Sequence, residues 1–181
     1  MAKTILNTNE SKTRFFMAAF QVMKPGIEKA TGKPVVDVPI TVAEFMPESV
    51  EEAFLMLLGE APRILGQTAF ERATGMPAGI QMSSHQPDGV IGALGVLAHE
   101  MIHLALQYGK INDDGDEHGP DFAKAAESIG LAPPWGATQL TKKFLDWMDG
   151  LGMRTDPRMA EFMDAEAASK AKAPEPEHAL A

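Results

Sequence analysis

His99 and Glu100 open the run His99-Glu100-Met101-Ile102-His103, and a third histidine, His118, follows in Glu117-His118-Gly119-Pro120-Asp121-Phe122. On an α-helix each residue turns about 100°, so His99 and His103 fall about 40° apart on one face, one turn above the other. Two imidazoles placed in this way can reach a single ion about 2.0 to 2.1 Å from each nitrogen. Glu100 lies about 100° from His99 and about 60° from His103, which sets its carboxylate beside the ion rather than behind it. A carboxylate there can take a proton from a metal-activated water and later deliver it to a leaving amine. A catalytic tetrahedral zinc (Zn2+) needs a third protein ligand and one open position, because four protein ligands would close the site. His118 is the expected third ligand, and Glu117 is the alternative beside it.

The chain has five histidines in 181 residues. An H-E-x-x-H arises by chance in roughly one chain in a hundred of that kind, so the surroundings must carry the inference. From Val90 to Leu106 the segment is apolar almost all round, as a buried central helix would be, and His99, Glu100 and His103 are its only ionisable groups. Burying three such groups without partners is costly. A metal with its water would satisfy them, and a pair of hydrogen-bonded core histidines beside a buried glutamate is the plainer alternative. Asp88 can cap the helix start, Gly92 and Gly95 would admit a close backbone neighbour, and Gly109 should end the helix.

Asn112 to Glu117 is turn chemistry without an apolar member. Pro120 suits the first position of a new helix, with Phe122, Ala125, Ala126 and Ile129 as its apolar stripe and Gly130 as its stop. His118 thus sits just ahead of a helix, where the loop can return it to the metal; the alternative is an exposed loop residue. In a metzincin, glycine and the third ligand would occupy the positions that hold Leu106 and Gly109 here, and an EF-hand aligned on Gly115 would begin with Lys110, so both are excluded. Asp113, Asp114, Asp116, Glu117 and Asp121 are candidates to orient a ligand histidine through its second ring nitrogen.

This combination, H-E-x-x-H on an apolar helix and His118-Gly119-Pro120-Asp121-Phe122 opening the next, resembles the SprT-like metallopeptidases, which include the Spartan proteases. The likeness covers about residues 78 to 150. It implies zinc held by His99, His103 and His118, Glu100 as catalytic acid or base, and a small α+β, mostly helical, zincin-like domain with a short sheet packed on the active-site helix. Many relatives carry a cysteine-rich zinc ribbon, but this chain has no cysteine, so DNA recruitment through such a module is not implied. The chain looks more like the compact phage, plasmid and bacterial members.

Composition bounds the rest. With 45% hydrophobic residues the chain has enough apolar material for one globular domain, expected over residues 1 to 155, with a frayed helix and flexible tail over 156 to 181. Without cysteine there are no disulfides and no thiolate ligands, which suits a cytoplasmic setting. Glu100 interrupts the longest apolar run and no secretory segment opens the chain, so no membrane association is expected. A net charge of −9 argues against a general nucleic-acid surface. Residues 1 to 34, however, hold six basic groups (Lys3, Lys12, Arg14, Lys24, Lys29, Lys33) against Glu10 and Glu28, a local +4 that leaves −13 elsewhere. Three functional readings follow: a zinc metallopeptidase acting on protein or peptide, a non-catalytic binding, assembly or phage accessory module on the same fold, and a DNA-associated protein using the basic N-terminus.

The supporting elements can be read in outline. Thr8 to Met23 is an amphipathic helix that Pro25-Gly26 should break. Val36 to Val42 alternates like an edge strand containing Pro39, Ser49 with Glu52 makes a capping box for a helix ending near Gly59, and Gln67 to Thr74 reads as a weaker helix. Ile80, Gln81, Met82 and Ser83 form a short strand whose edge could pair with an extended peptide substrate. His85 and His178 read as loop and tail residues. Tyr108 would face away from His99, and Trp135, Trp147 and the methionines read as core.

Overall fold

A first helix, α1 (Asn9–Thr31), carries its apolar stripe of Phe15, Phe16, Ala19, Phe20, Met23 and Ile27 inward. Thr8 caps it in a reciprocal box with Ser11, the Thr8 hydroxyl accepting from the Ser11 amide at 3.1 Å. The expected break at Pro25-Gly26 does not occur, and the helix runs on to a left-handed cap at Gly32. An interior proline costs roughly 3 kcal/mol. Ile27, fully buried two residues later, recovers roughly 1.5 to 3 kcal/mol. Gly26 adds a close fit, since a Cβ there would lie 2.8 Å from the Trp147 ring.

The computed structural model describes residues 8–44, 65–71, 74–84, 89–107, 118–135, 138–159 and 162. The expected helix over 49 to 59, the Asp88 cap, the Gly109 stop, the acidic loop with Glu117, and His85, Tyr108 and His178 lie outside the described residues.

The strands are β1 (Ile40–Ala43), β2 (Gly66–Phe70) and β3 (Pro77–Ser83), in the order β1-β3-β2. β1 runs parallel to β3, and β2 antiparallel to it. Three expectations change. The first strand begins at Ile40, after Pro39, whose carbonyl accepts from the Ile80 amide at 3.0 Å. Gln67 to Phe70 belongs to a strand, because a short run cannot distinguish a period of 2.0 from one of 3.6 and pairing with β3 decides it. Finally, β3 is the central strand, so its backbone offers no edge to a peptide, and Ile80, Met82 and Ser83 are buried.

The centre of the molecule is α2 (Gly89–Gln107), with Leu94, Leu97, Ala98, Met101, Ile102 and Leu104 wholly excluded from solvent. It is long and apolar enough to cross a membrane by length and composition, but that apolar surface is covered by α1, by α3 (Pro120–Ile129) and by the sheet. Pro120 opens α3 and Gly130 closes it in the left-handed region, as the sequence indicates. A two-stranded pair, β4 (Leu131–Ala132) and β5 (Gln139–Leu140), then leads into α4 (Lys142–Gly150). The architecture is α+β and mostly helical, with short sheets. The core extends past residue 155: Met159 and Phe162 are buried in it, and Phe162 meets Phe15 edge to face at 5.4 Å. Two of the N-terminal basic groups face their own chain, Lys12 donating to the Ser84 carbonyl at 2.6 Å and Lys24 pairing with Asp37 at 2.9 Å.

Candidate metal centre

His99 and His103 stand one turn apart on α2, and their Nε2 atoms are 3.1 Å apart. His118 enters from just ahead of α3, where Gly119 takes the N-cap in an extended conformation and Pro120 fixes the first turn. Its Nε2 lies 3.2 Å from that of His103 and 3.1 Å from that of His99. Sequence reasoning therefore named three residues that the fold brings to one point, although His118 is 15 residues beyond His103.

The donor set suits a cation. Nitrogens about 2.05 Å from one tetrahedral ion lie roughly 3.3 Å from each other. The observed 3.1 to 3.2 Å is within a few tenths of that figure. Burial also keeps the rings in the ligating form. The His99 pKa is lowered to about 4, first by burial and then by His118. That of His103 is lowered to about 3 by burial, then by His99 and His118. Neutral imidazoles keep a lone pair for a metal. His99, His103 and His118 could together hold a metal ion.

Phe122 is the floor of this cluster. Its ring centroid lies 4.8 Å from His99, 4.6 Å from His103 and 4.8 Å from His118, and Trp135 meets it in a T-shaped arrangement at 5.6 Å. The sequence reads Phe122 only as part of a helix stripe and of the H-G-x-x-F run; the fold gives it contact with every ring of the triad. Two polar partners were also missed. His99 Nδ1 is 2.9 Å from the Thr138 hydroxyl, and His103 Nδ1 is 3.1 Å from the Gln107 amide. Gln107 had a signal, since it continues the 99-103 stripe by four residues. Thr138 had none, being 39 residues from His99. Of the acidic candidates for such a role, Asp121 is exposed, and the others lie outside the described residues.

Glu100 is 6% exposed and meets β2. The Thr68 hydroxyl lies 2.8 Å from Glu100 Oε2 and 2.9 Å from its backbone carbonyl, a donor shared between two acceptors. Gly66 passes so close that a Cβ there would sit 3.0 Å from Glu100 Cγ and 3.2 Å from Oε1. Gly95 performs a related task one turn before His99, leaving room for the Leu140 side chain rather than for the backbone neighbour anticipated from the sequence. This arrangement offers three imidazole nitrogen donors, a buried carboxylate next in sequence to one of them and an aromatic floor. No family model, curated protein or solved structure matches the chain, so the likeness to SprT-like metallopeptidases rests on its motif residues alone.

Proposed function

We propose that the chain is a zinc-dependent metallopeptidase of the SprT-like, zincin-like kind, with His99, His103 and His118 as ligands and Glu100 as general base and acid. The observation that carries this reading is the convergence of three Nε2 atoms within 3.1 to 3.2 Å of one another, next in sequence to a buried carboxylate. Zinc is the ion proposed because three imidazoles with one open position form a donor set that catalytic zinc uses. When bound, zinc would polarise a peptide carbonyl and make water more acidic.

The chain's own groups supply the rest. Three ligands leave a fourth position for reactants. Glu100 takes the proton of the attacking water and returns it to the leaving amine, while Thr68 holds Oε2 in place. The substrate is a protein or peptide segment. Because β3 is paired on both sides, the Ile80 to Ser83 strand contributes through the packing of its side chains and not through a free edge.

The test compares wild type with Glu100→Gln. Wild type should carry about one zinc per chain, and it should cleave casein or itself. The variant should retain zinc and lose about 100- to 10,000-fold in cleavage, the usual contribution of a general base. A wild type that holds zinc yet cleaves nothing would move the reading to a binding or assembly module. Cleavage by Glu100→Gln at the wild-type rate would remove Glu100 from the chemistry.

A further inference from the structure

We propose that Thr138 and Gln107 are positioning residues for the metal centre, each accepting the Nδ1 proton of one helix histidine so that both rings present an Nε2 lone pair to the ion. This rests on the metal-centre reading above and adds the device that selects the ligating nitrogen. A neutral imidazole has one N–H and one lone pair, so an Nε2 ligand requires the proton on Nδ1 and an acceptor facing it.

Thr138 has that acceptor by elimination. Its hydroxyl hydrogen is donated to the Trp135 carbonyl at 2.9 Å, which leaves the oxygen lone pairs for His99 Nδ1, also at 2.9 Å. The position of Thr138 is itself well braced. It immediately precedes β5, β5 pairs with β4, and Leu140 seats in the space left by Gly95, four residues before His99 on α2. The ring of Trp135 meets Phe122, the floor of the triad. Thr138, which fixes the His99 tautomer, is thus tied to both the ligand helix and the aromatic floor.

Gln107 does the same for His103 from within α2. The structure places its amide nitrogen 3.1 Å from Nδ1. The two ends of a primary amide have nearly the same shape, so a half-turn about the last side-chain bond brings the oxygen to that point. Only the oxygen end is compatible with His103 ligating through Nε2. Zinc binding therefore selects one face of the Gln107 amide.

The experiment measures zinc affinity of the full chain by competition with a chromogenic chelator, in wild type and in Thr138→Val, Thr138→Ser, Gln107→Leu and Gln107→Glu. Loss of the acceptor should weaken zinc binding by about 10- to 100-fold in the valine and leucine variants. Serine and glutamate restore an acceptor and should stay within about threefold of wild type, a rescue that a merely space-filling role would not give. Wild-type affinity in Thr138→Val and Gln107→Leu would overturn the proposal, as would equal losses in the rescuing pair. If wild type itself takes up no zinc, the metal-centre reading falls and this one with it; tight wild-type binding alongside unchanged variants sinks this inference alone.

Discussion

His99 and Glu100 are consecutive residues, yet their side chains belong to different neighbourhoods. The histidine meets Phe122, His103, His118 and the Thr138 hydroxyl, in a setting of aromatic rings and neutral polar groups. Its neighbour meets β2, where Thr68 donates to the carboxylate and Gly66 leaves room for it. On the first flank, burial holds the His99 and His103 rings neutral, which favours metal binding. On the second, a buried carboxylate has a hydroxyl partner and a glycine-lined approach. On the proposed reading, one helix thus carries a ligand flank and an acid–base flank, each supported by separate parts of the chain. Separate support means that each can be damaged without the other.

The largest expected effect tests the ligand flank directly. His103→Ala should weaken zinc binding by more than the about 100-fold that an outer hydrogen-bond partner is worth, since it removes a donor atom itself. Chelator competition checks this, and retained affinity would dissolve the distinction between the flanks.

Acidity should act on the same flank. In chelator-treated protein the unfolded histidines take up protons near their ordinary pKa of 6.5, while the folded ones wait until about 4 and about 3. The unfolded state therefore binds more protons between those values, and stability should fall as pH drops through that window. Urea midpoints from pH 7 to pH 4 would show the decline, and saturating zinc should shift it because ligation competes with protons. A flat profile would mean that the rings are not buried as described.

The smallest effect belongs to the sheet flank. Thr68→Val removes the hydroxyl donor from Glu100 without changing side-chain shape much, and should cost about 1 to 3 kcal/mol of stability. Zinc affinity should stay close to that of wild type, because the Thr68 hydroxyl bonds to Glu100 rather than to a proposed ligand. Urea unfolding and chelator competition, run on the same sample, measure both. A large loss of zinc from Thr68→Val would show that the flanks are coupled through α2.

The two flanks also differ in how openly the sequence announces them. Helical periodicity places His99 and His103 on one face, and Pro120 with Gly130 brackets the element that His118 precedes; both follow from the geometry of 3.6 residues per turn and from local caps. Gln67 to Phe70 was harder, since four residues with a mixed pattern are compatible with helix or strand until β3 pairs with them. The same limit explains why Ile80 to Ser83 read as an edge: a sequence gives the alternation of a strand but not which neighbours flank it. Pro25 misled for the opposite reason. Its local penalty is real, but burial of Gly26, Ile27 and the rest of the α1 apolar stripe offsets it.

The sequence by itself determined that His99 and His103 share one face of a helix, that Glu100 follows His99 on it and that His118 stands just ahead of the next helix, because those depend on helical spacing and on local start and stop signals. The tertiary structure decided that the three Nε2 atoms meet, that Phe122 lies beneath them, that Thr138 faces His99 and that β2 carries Thr68 to Glu100. Each of these is a contact between segments distant in the chain. Such contacts are set by how whole elements bury their apolar faces, and no local pattern of residues records that outcome.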